Sequence, residues 1–142
     1  MQYNHEAKVV FVTDRNYIIP TWVAARSCAE SKSDNTELTI YIIGDQLIDR
    51  DKESLLDVVL NMSGVSMQFI DVNSSEDFDG VVSEDALKSW SPAVLYKFML
   101  ADILPDYLHK VIYLDGDMII RHDLTDLYES SLESGQILGA VR

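Results

Sequence analysis

Short apolar runs rich in β-branched residues recur along the chain. Residues 9–12 read Val-Val-Phe-Val, and residues 38–43 read Leu-Thr-Ile-Tyr-Ile-Ile. A third run, 66–72, contains Met67, Phe69, Ile70 and Val72, a fourth at 111–114 reads Val-Ile-Tyr-Leu, and a fifth occupies 137–141. Strands apolar at successive positions suit a sheet covered on both faces, and such sheets are usually parallel. Between the runs the period lengthens. Trp22, Val23 and Arg26 fall at helical spacing after Pro20, which the start of a helix tolerates. Asp49 is placed to cap a second helix carrying Leu55, Leu56, Val59 and Leu60. Ser91 followed by Pro92 opens an apolar helix through Val94, Leu95, Phe98, Met99, Ile103 and Leu104. Asp123 caps a short helix with Leu124, Leu127 and Tyr128, and Asp126 lies in its first turn, where a carboxylate suits the helix dipole. The alternation β-α-β-α-β-α-β-α-β predicts a doubly wound α/β layer. Residues 71–85 hold Asp71, Glu76, Asp77, Asp79, Glu84 and Asp85 with no base between them, and predict a solvated loop.

The 142 residues are about one domain's worth, with no internal boundary, so residues 1–142 are expected to form a single unit. With 47% hydrophobic and 25% charged residues, the chain has a globular composition and not a disordered one. Acidic residues outnumber basic ones, 24 to 11, for a net charge of −13. That field argues against nucleic acid and anionic lipid as main partners. Cys28 is the single cysteine, which excludes an internal disulfide framework and a cysteine zinc cage. Residues 1–6 are polar, and no apolar run approaches the roughly 20 residues of a transmembrane segment. The expected setting is cytoplasmic, with any peripheral membrane attachment left to segments outside this chain.

In an open α/β sheet, ligands bind beyond the carboxyl ends of the strands. Here the first strand runs into Thr13, Asp14, Arg15, Asn16 and Tyr17, and the fourth into Asp115, Gly116 and Asp117. Both stretches would share one rim. Side chains at i and i+2 of an extended segment point the same way, so Asp115 and Asp117 repel each other unless a divalent cation sits between them. Hard oxygen donors suit Mg²⁺ or Mn²⁺, and Gly116 lets a ligand approach the backbone. The stretch 111–120 reads equally as a hairpin turning on Asp-Gly, and spacing leaves the two open. Tyr17 offers a face to a nucleobase or simply covers the next helix. Asp14 and Asn16 suit a base or ribose, or ordinary turn chemistry. Lys97, the sole base within 91–104, is a counter-charge to a diphosphate or to the Asp pair, or a snorkelling side chain. His5, His109 and His122 are scattered, and Cys28 suits a helical core position.

Together these residues resemble the donor-binding half of a family-8 glycosyltransferase, the galactosyltransferase- and glycogenin-like group of retaining enzymes. Residues 9–17 resemble the opening strand and nucleotide loop, and Ser27 fits the helix that follows. Residues 95–98 with Leu104 and Pro105 resemble the helix before the metal motif, and residues 110–120 the Tyr-Leu-Asp-x-Asp strand. Residues 123–127 and 138–141 fit the next helix and strand. The resemblance implies a GT-A fold: a Rossmann-like nucleotide-sugar-binding layer whose mostly parallel sheet carries helices on both faces. It implies metal-dependent transfer of a hexose from a UDP-sugar to a saccharide or other hydroxyl acceptor, with retention. By the same resemblance, Asp115 and Asp117, the DXD pair, hold Mn²⁺ or Mg²⁺ against the donor diphosphate. Gly116 lies where the backbone nears the ribose, Tyr17 stacks on uracil, and Thr13, Asp14 and Asn16 contact uracil and ribose. Lys97 stands where many members carry Arg and some carry Lys, keeping the charge without the bidentate fork.

The resemblance also implies a domain about twice this long. A third metal ligand, typically histidine, the acceptor residues and the groups beside the reacting sugar carbon belong to its C-terminal half. The chain is therefore expected to be the N-terminal, nucleotide-binding part, inactive in transfer alone and prone to self-association, because a sheet ending with the strand 137–141 would keep an unpaired edge or an apolar face with no cover. A Mg²⁺-binding flavodoxin-like receiver domain is the alternative. A receiver would want a second acid after Asp14, where Arg15 stands, and a lysine after its last strand, where Arg142 stands.

Overall fold

The computed structural model describes residues 2–140. Its strands are β1 (His5–Asp14), β2 (Thr36–Asp45), β3 (Val65–Val72) and β4 (Ile112–Tyr113). They form one four-stranded sheet in the order β3-β2-β1-β4, with every pair parallel. Between and after them run α1 (Ile18–Ser31), α2 (Asp49–Leu56), α3 (Ser74–Asp77), α4 (Glu84–Ser89), α5 (Pro92–Tyr96), α6 (Leu100–Ile103) and α7 (Thr125–Glu129). This is the α/β layer the apolar runs predict. β1 and β2 pair along their whole length, from His5 opposite Thr36 to Asp14 opposite Asp45. β4 meets β1 only at Val9 and Val10, and a further bond from Leu114 N to Val10 O (3.0 Å) extends the contact.

Both faces of the central pair β1 and β2 are buried, which is why residues 9–12 and 40–43 are apolar at successive positions. On one face Val9 and Phe11 of β1, with Leu38, Ile40 and Ile42 of β2, pack under Ala24, Ala25, Cys28 and Ala29 of α1. Small side chains there let the helix lie close to the sheet. Leu55 of α2, Val58 of the following 3₁₀ turn and Tyr128 of α7 complete that layer. On the other face Val10, Val12, Tyr41 and Ile43 pack against Phe78 and Tyr96. The two rings lie 4.9 Å apart, tilted by 48°. No helix among the described residues is long and apolar enough to cross a membrane.

Several local expectations need correction. The acidic stretch 71–85 is not merely a solvated loop. Asn73 caps α3 by accepting from Ser75 N, Phe78 is 3% exposed in the core, and Asp77 accepts a 2.7 Å hydrogen bond from the Tyr96 hydroxyl. One buried aromatic anchors the segment, and its acids face outward or take polar partners. Residues 91–104 do not form one helix, although Ser91 caps the start by accepting from Ala93 N (3.3 Å). A 3₁₀ turn at Lys97–Met99 separates α5 from α6. The packed stripe runs through Ala93, Tyr96, Leu100 and Ile103, while Phe98 is 75% exposed, so apolarity outside the stripe masks the break. Asp49 opens α2 without capping it; Asp51 accepts from Ile48 N instead (3.1 Å).

Residues 137–140 make no strand, and Ile137 is 96% exposed. A strand needs a ladder partner, and no described segment pairs with this one. Val141 and Arg142 fall outside the described residues. The edges of the sheet are β3 and β4, so residues 137–140 supply no sheet edge, and their apolar side chains Ile137 and Leu138 are exposed instead.

Truncating Phe78 to alanine should cost about 3–5 kcal/mol of stability, the usual range for a buried aromatic. Urea unfolding measures it. A loss below about 0.5 kcal/mol, typical of surface positions, would return residues 71–85 to a solvated loop.

Candidate functional site

The chain leaves β1 toward β2 on one side and later places β4 on the other. Strand order therefore reverses between β1 and β4, and the crevice beyond their carboxyl ends is where a doubly wound sheet binds ligands. β1 delivers the turn that opens α1. Asn16 N donates to Asp14 Oδ1 (2.8 Å) and Tyr17 N to Asp14 O (3.1 Å), which aims Tyr17 across the crevice. Thr13 faces inward: it is 1% exposed, and its Oγ1 accepts from the Thr21 hydroxyl at 2.9 Å. Arg15 turns away to Asp51 (Nε to Oδ2, 3.0 Å).

β4 delivers Asp115, Gly116 and Asp117. The hairpin alternative fails, because residues 118–121 do not fold back as a strand. Ile120 N donates instead to Ser27 Oγ (2.9 Å) on α1. Gly116 is required by its neighbours: a β-carbon there would lie 2.9 Å from Thr21 Oγ1 and 3.3 Å from Tyr17 Cδ1. The glycine thus admits a close approach by Thr21 of α1 and by Tyr17, the residue before that helix. Immediately beyond it, the Tyr17 hydroxyl donates to Asp117 Oδ2 at 3.4 Å. The Asp117 charge, followed by partial burial, holds the Tyr17 hydroxyl above its ordinary ionisation range.

Asp115 has partners of its own. Tyr113 donates to its Oδ1 at 3.0 Å, and Lys97 Nζ approaches the same oxygen to 4.0 Å. Lys97 also lies 5.5 Å from the centre of the Tyr113 ring. Burial, then the bond to Asp115, pushes the Tyr113 hydroxyl's ionisation upward. The crevice therefore gathers Tyr17, Lys97, Asp115, Gly116 and Asp117. Asp14 borders it with its carboxylate engaged by Asn16 N, Asn16 is exposed, and Thr13 supports the turn from beneath.

Tyr113 and Thr21 are participants that sequence reasoning missed. The signal for Tyr113 was its i, i+2 spacing to Asp115, the same spacing that joins Asp115 to Asp117. As a donor set, two exposed aspartates suit a hard divalent cation such as Mg²⁺ or Mn²⁺. No group of three or more His, Cys, Asp or Glu converges among the described residues, so the pair would supply only part of a coordination shell. Cys28 lies elsewhere in the core, where burial first and Asp123 second push its thiol up to about 12.

Comparison with known proteins decides the family. The sequence pattern of Glycosyl transferase family 8 matches residues 8–142. The chain belongs to glycosyl transferase family 8. The receiver-domain alternative is set aside with that assignment. Among curated family relatives, the lipopolysaccharide glucosyltransferase WaaO of Escherichia coli K12 is 21% identical over 99% of this chain and 42% of its own length. The glycosyltransferase GlyE of Streptococcus pneumoniae is 28% identical over 96% of this chain and 32% of its own length. The galactosyltransferase LgtC, solved with donor and acceptor sugar analogues, superposes with a TM-score of 0.69 at 29% identity, covering 87% of this chain and 42% of that one. An active-site mutant of LgtC gives a TM-score of 0.73 at 28% identity, covering 89% and 43%. The fold is accordingly the GT-A α/β fold of these neighbours, here as a four-stranded parallel sheet with helices. The chain spans less than half the length of these relatives.

The Tyr17–Asp117 contact predicts a specific titration. A neighbouring negative charge disfavours the tyrosinate, so Asp117→Asn should lower the Tyr17 ionisation point toward that of a free tyrosine. ¹³C-tyrosine NMR across alkaline pH reads this directly. An unmoved Tyr17 titration would show that the two side chains do not meet in solution.

Proposed function

We propose that this chain forms the donor-nucleotide side of a UDP-sugar-dependent hexosyltransferase, metal-dependent and retaining, with a saccharide or other hydroxyl compound as acceptor. The observation that carries the proposal is the meeting of Tyr17 and Asp117, 100 residues apart, at the strand-order reversal of a family-8 chain. LgtC, of the same family, was solved with donor and acceptor sugar analogues, which supports this ligand class.

The residues divide the donor between them. The Tyr17 ring, 41% exposed at the mouth of the crevice, offers its face to uracil. Asn16 and the Asp14 turn supply polar groups beside the base and ribose. Thr13 acts through the turn and does not reach the nucleotide, because its hydroxyl is committed to Thr21. Asp115 and Asp117 are the carboxylates for Mn²⁺ or Mg²⁺. When bound, such an ion supplies Lewis-acid stabilisation to the leaving diphosphate. Lys97 is a point charge beside Asp115, able to meet phosphate oxygens without the geometric demand of a guanidinium. Attack at the sugar carbon requires groups in the portion of the relatives that this chain does not match.

Calorimetry with UDP tests the reading. Binding should require Mn²⁺ and vanish in EDTA, and Asp115→Asn and Asp117→Asn should each abolish the metal dependence. Tyr17→Ala should weaken UDP by about tenfold or more, within the usual range for loss of an aromatic–base stack. Equal UDP affinity in EDTA and in Mn²⁺ would sink the metal-bridged reading.

A further inference from the structure

Asp115 sits on a loop with a glycine on its far side, and its side chain is 57% exposed. Unrestrained, such a carboxylate samples several rotamers and loses that freedom when it binds an ion. Tyr113 removes the freedom beforehand. Its hydroxyl donates to Oδ1 of Asp115 at 3.0 Å, and Oδ2 has no hydrogen-bond partner among the described residues.

Tyr113 is itself well anchored. It pairs with Val10 in the sheet, its ring packs against the core that holds Val10 and Tyr96, and Lys97 lies over the ring. Its spacing of two from Asp115 puts both side chains on one face of the extended segment. Leu114, between them, joins the opposite core. The hydroxyl is therefore a fixed post at the strand end. By contrast Tyr17, the corresponding donor to Asp117, is more exposed and its bond is longer, at 3.4 Å.

We infer that Tyr113 is a positioning residue for the metal-binding carboxylate: its hydroxyl occupies Oδ1 of Asp115 and leaves Oδ2 as the oxygen offered to a divalent ion. This rests on the reading of Asp115 and Asp117 as metal ligands. A neutral hydroxyl orients the carboxylate without cancelling its charge, which an ammonium at the same distance would do. Hydrogen-bond partners of metal ligands commonly set affinity in this way.

The test uses Mn²⁺ alone, with free ion counted by electron paramagnetic resonance. The chain is compared with Tyr113→Phe, with Asp115→Asn, and with Tyr128→Phe, which removes a hydroxyl remote from the crevice. Phenylalanine keeps the ring, its packing and its contact with Lys97. Tyr113→Phe should weaken Mn²⁺ by about tenfold, Asp115→Asn should abolish binding, and Tyr128→Phe should leave it unchanged. Thermal melting runs in parallel, because a merely structural hydroxyl would lower the melting point without moving Mn²⁺ affinity. If Asp115→Asn loses the ion while Tyr113→Phe binds it as tightly or more tightly, the hydroxyl is a bystander or a competitor, and the inference is overturned while the ligand assignment stands. If Asp115→Asn binds as the unsubstituted chain does, the ligand assignment fails and takes the inference with it.

Discussion

β1 is enclosed through its middle, residues 9–12. β2 and β4 flank it, helices cover both faces, and Val9, Val10 and Phe11 have no exposed surface. A strand so placed leaves no room for polar chemistry in its enclosed stretch, so the rim groups collect where it stops. The same enclosure fixes the direction of the turn after it. The alanines of α1 seat that helix against Val9 and Phe11, and the Thr21–Thr13 hydroxyl contact ties its first turns to the end of β1. Tyr17, at the junction of turn and helix, then has one way to face: across the strand-order reversal toward Asp117. Gly116 is the other half of that constraint, since any side chain would collide with Thr21 and Tyr17.

The sheet and the crevice were largely legible in the sequence because they follow from local pattern. Runs of β-branched residues read as buried strands, and their polar carboxyl ends predicted a shared rim. What remained hidden was set by contacts distant in sequence. Asp115-Gly116 reads as a hairpin turn or as part of a metal site with equal ease, and the hairpin is excluded only by Ile120 donating to Ser27, 93 residues earlier. Phe78 is a lone aromatic among acids, and only Tyr96 on a later helix shows that it is core. Thr13 was legible as a rim residue but not as an inward-facing one. Its strand position is local, whereas its orientation depends on Thr21. The run at 137–141 carries a strand's composition, but composition supplies no ladder partner, and residues 137–140 remain without one.

The donors around the two aspartates are chemically unequal. Tyrosine hydroxyls hold both carboxylates, Tyr113 on Asp115 and Tyr17 on Asp117, whereas the single ammonium nearby stands 4.0 Å from Asp115, outside hydrogen-bond distance. Hydroxyl donors leave the full negative charge of the pair in place. In a chain of net charge −13, that charge repels a nucleotide diphosphate from the rim. On the proposed reading, the sign of the rim must therefore change before an anionic donor can settle, and one lysine does not suffice against two carboxylates. A divalent ion does: two charges on the metal balance the pair, and Lys97 then remains as an unspent positive charge for a phosphate oxygen. Replacing either tyrosine hydroxyl with a basic side chain would neutralise the pair in advance and weaken the attraction for the ion. On that same reading, hydroxyls at both positions meet the electrostatic requirement of an acidic chain that would bind its anion through a cation.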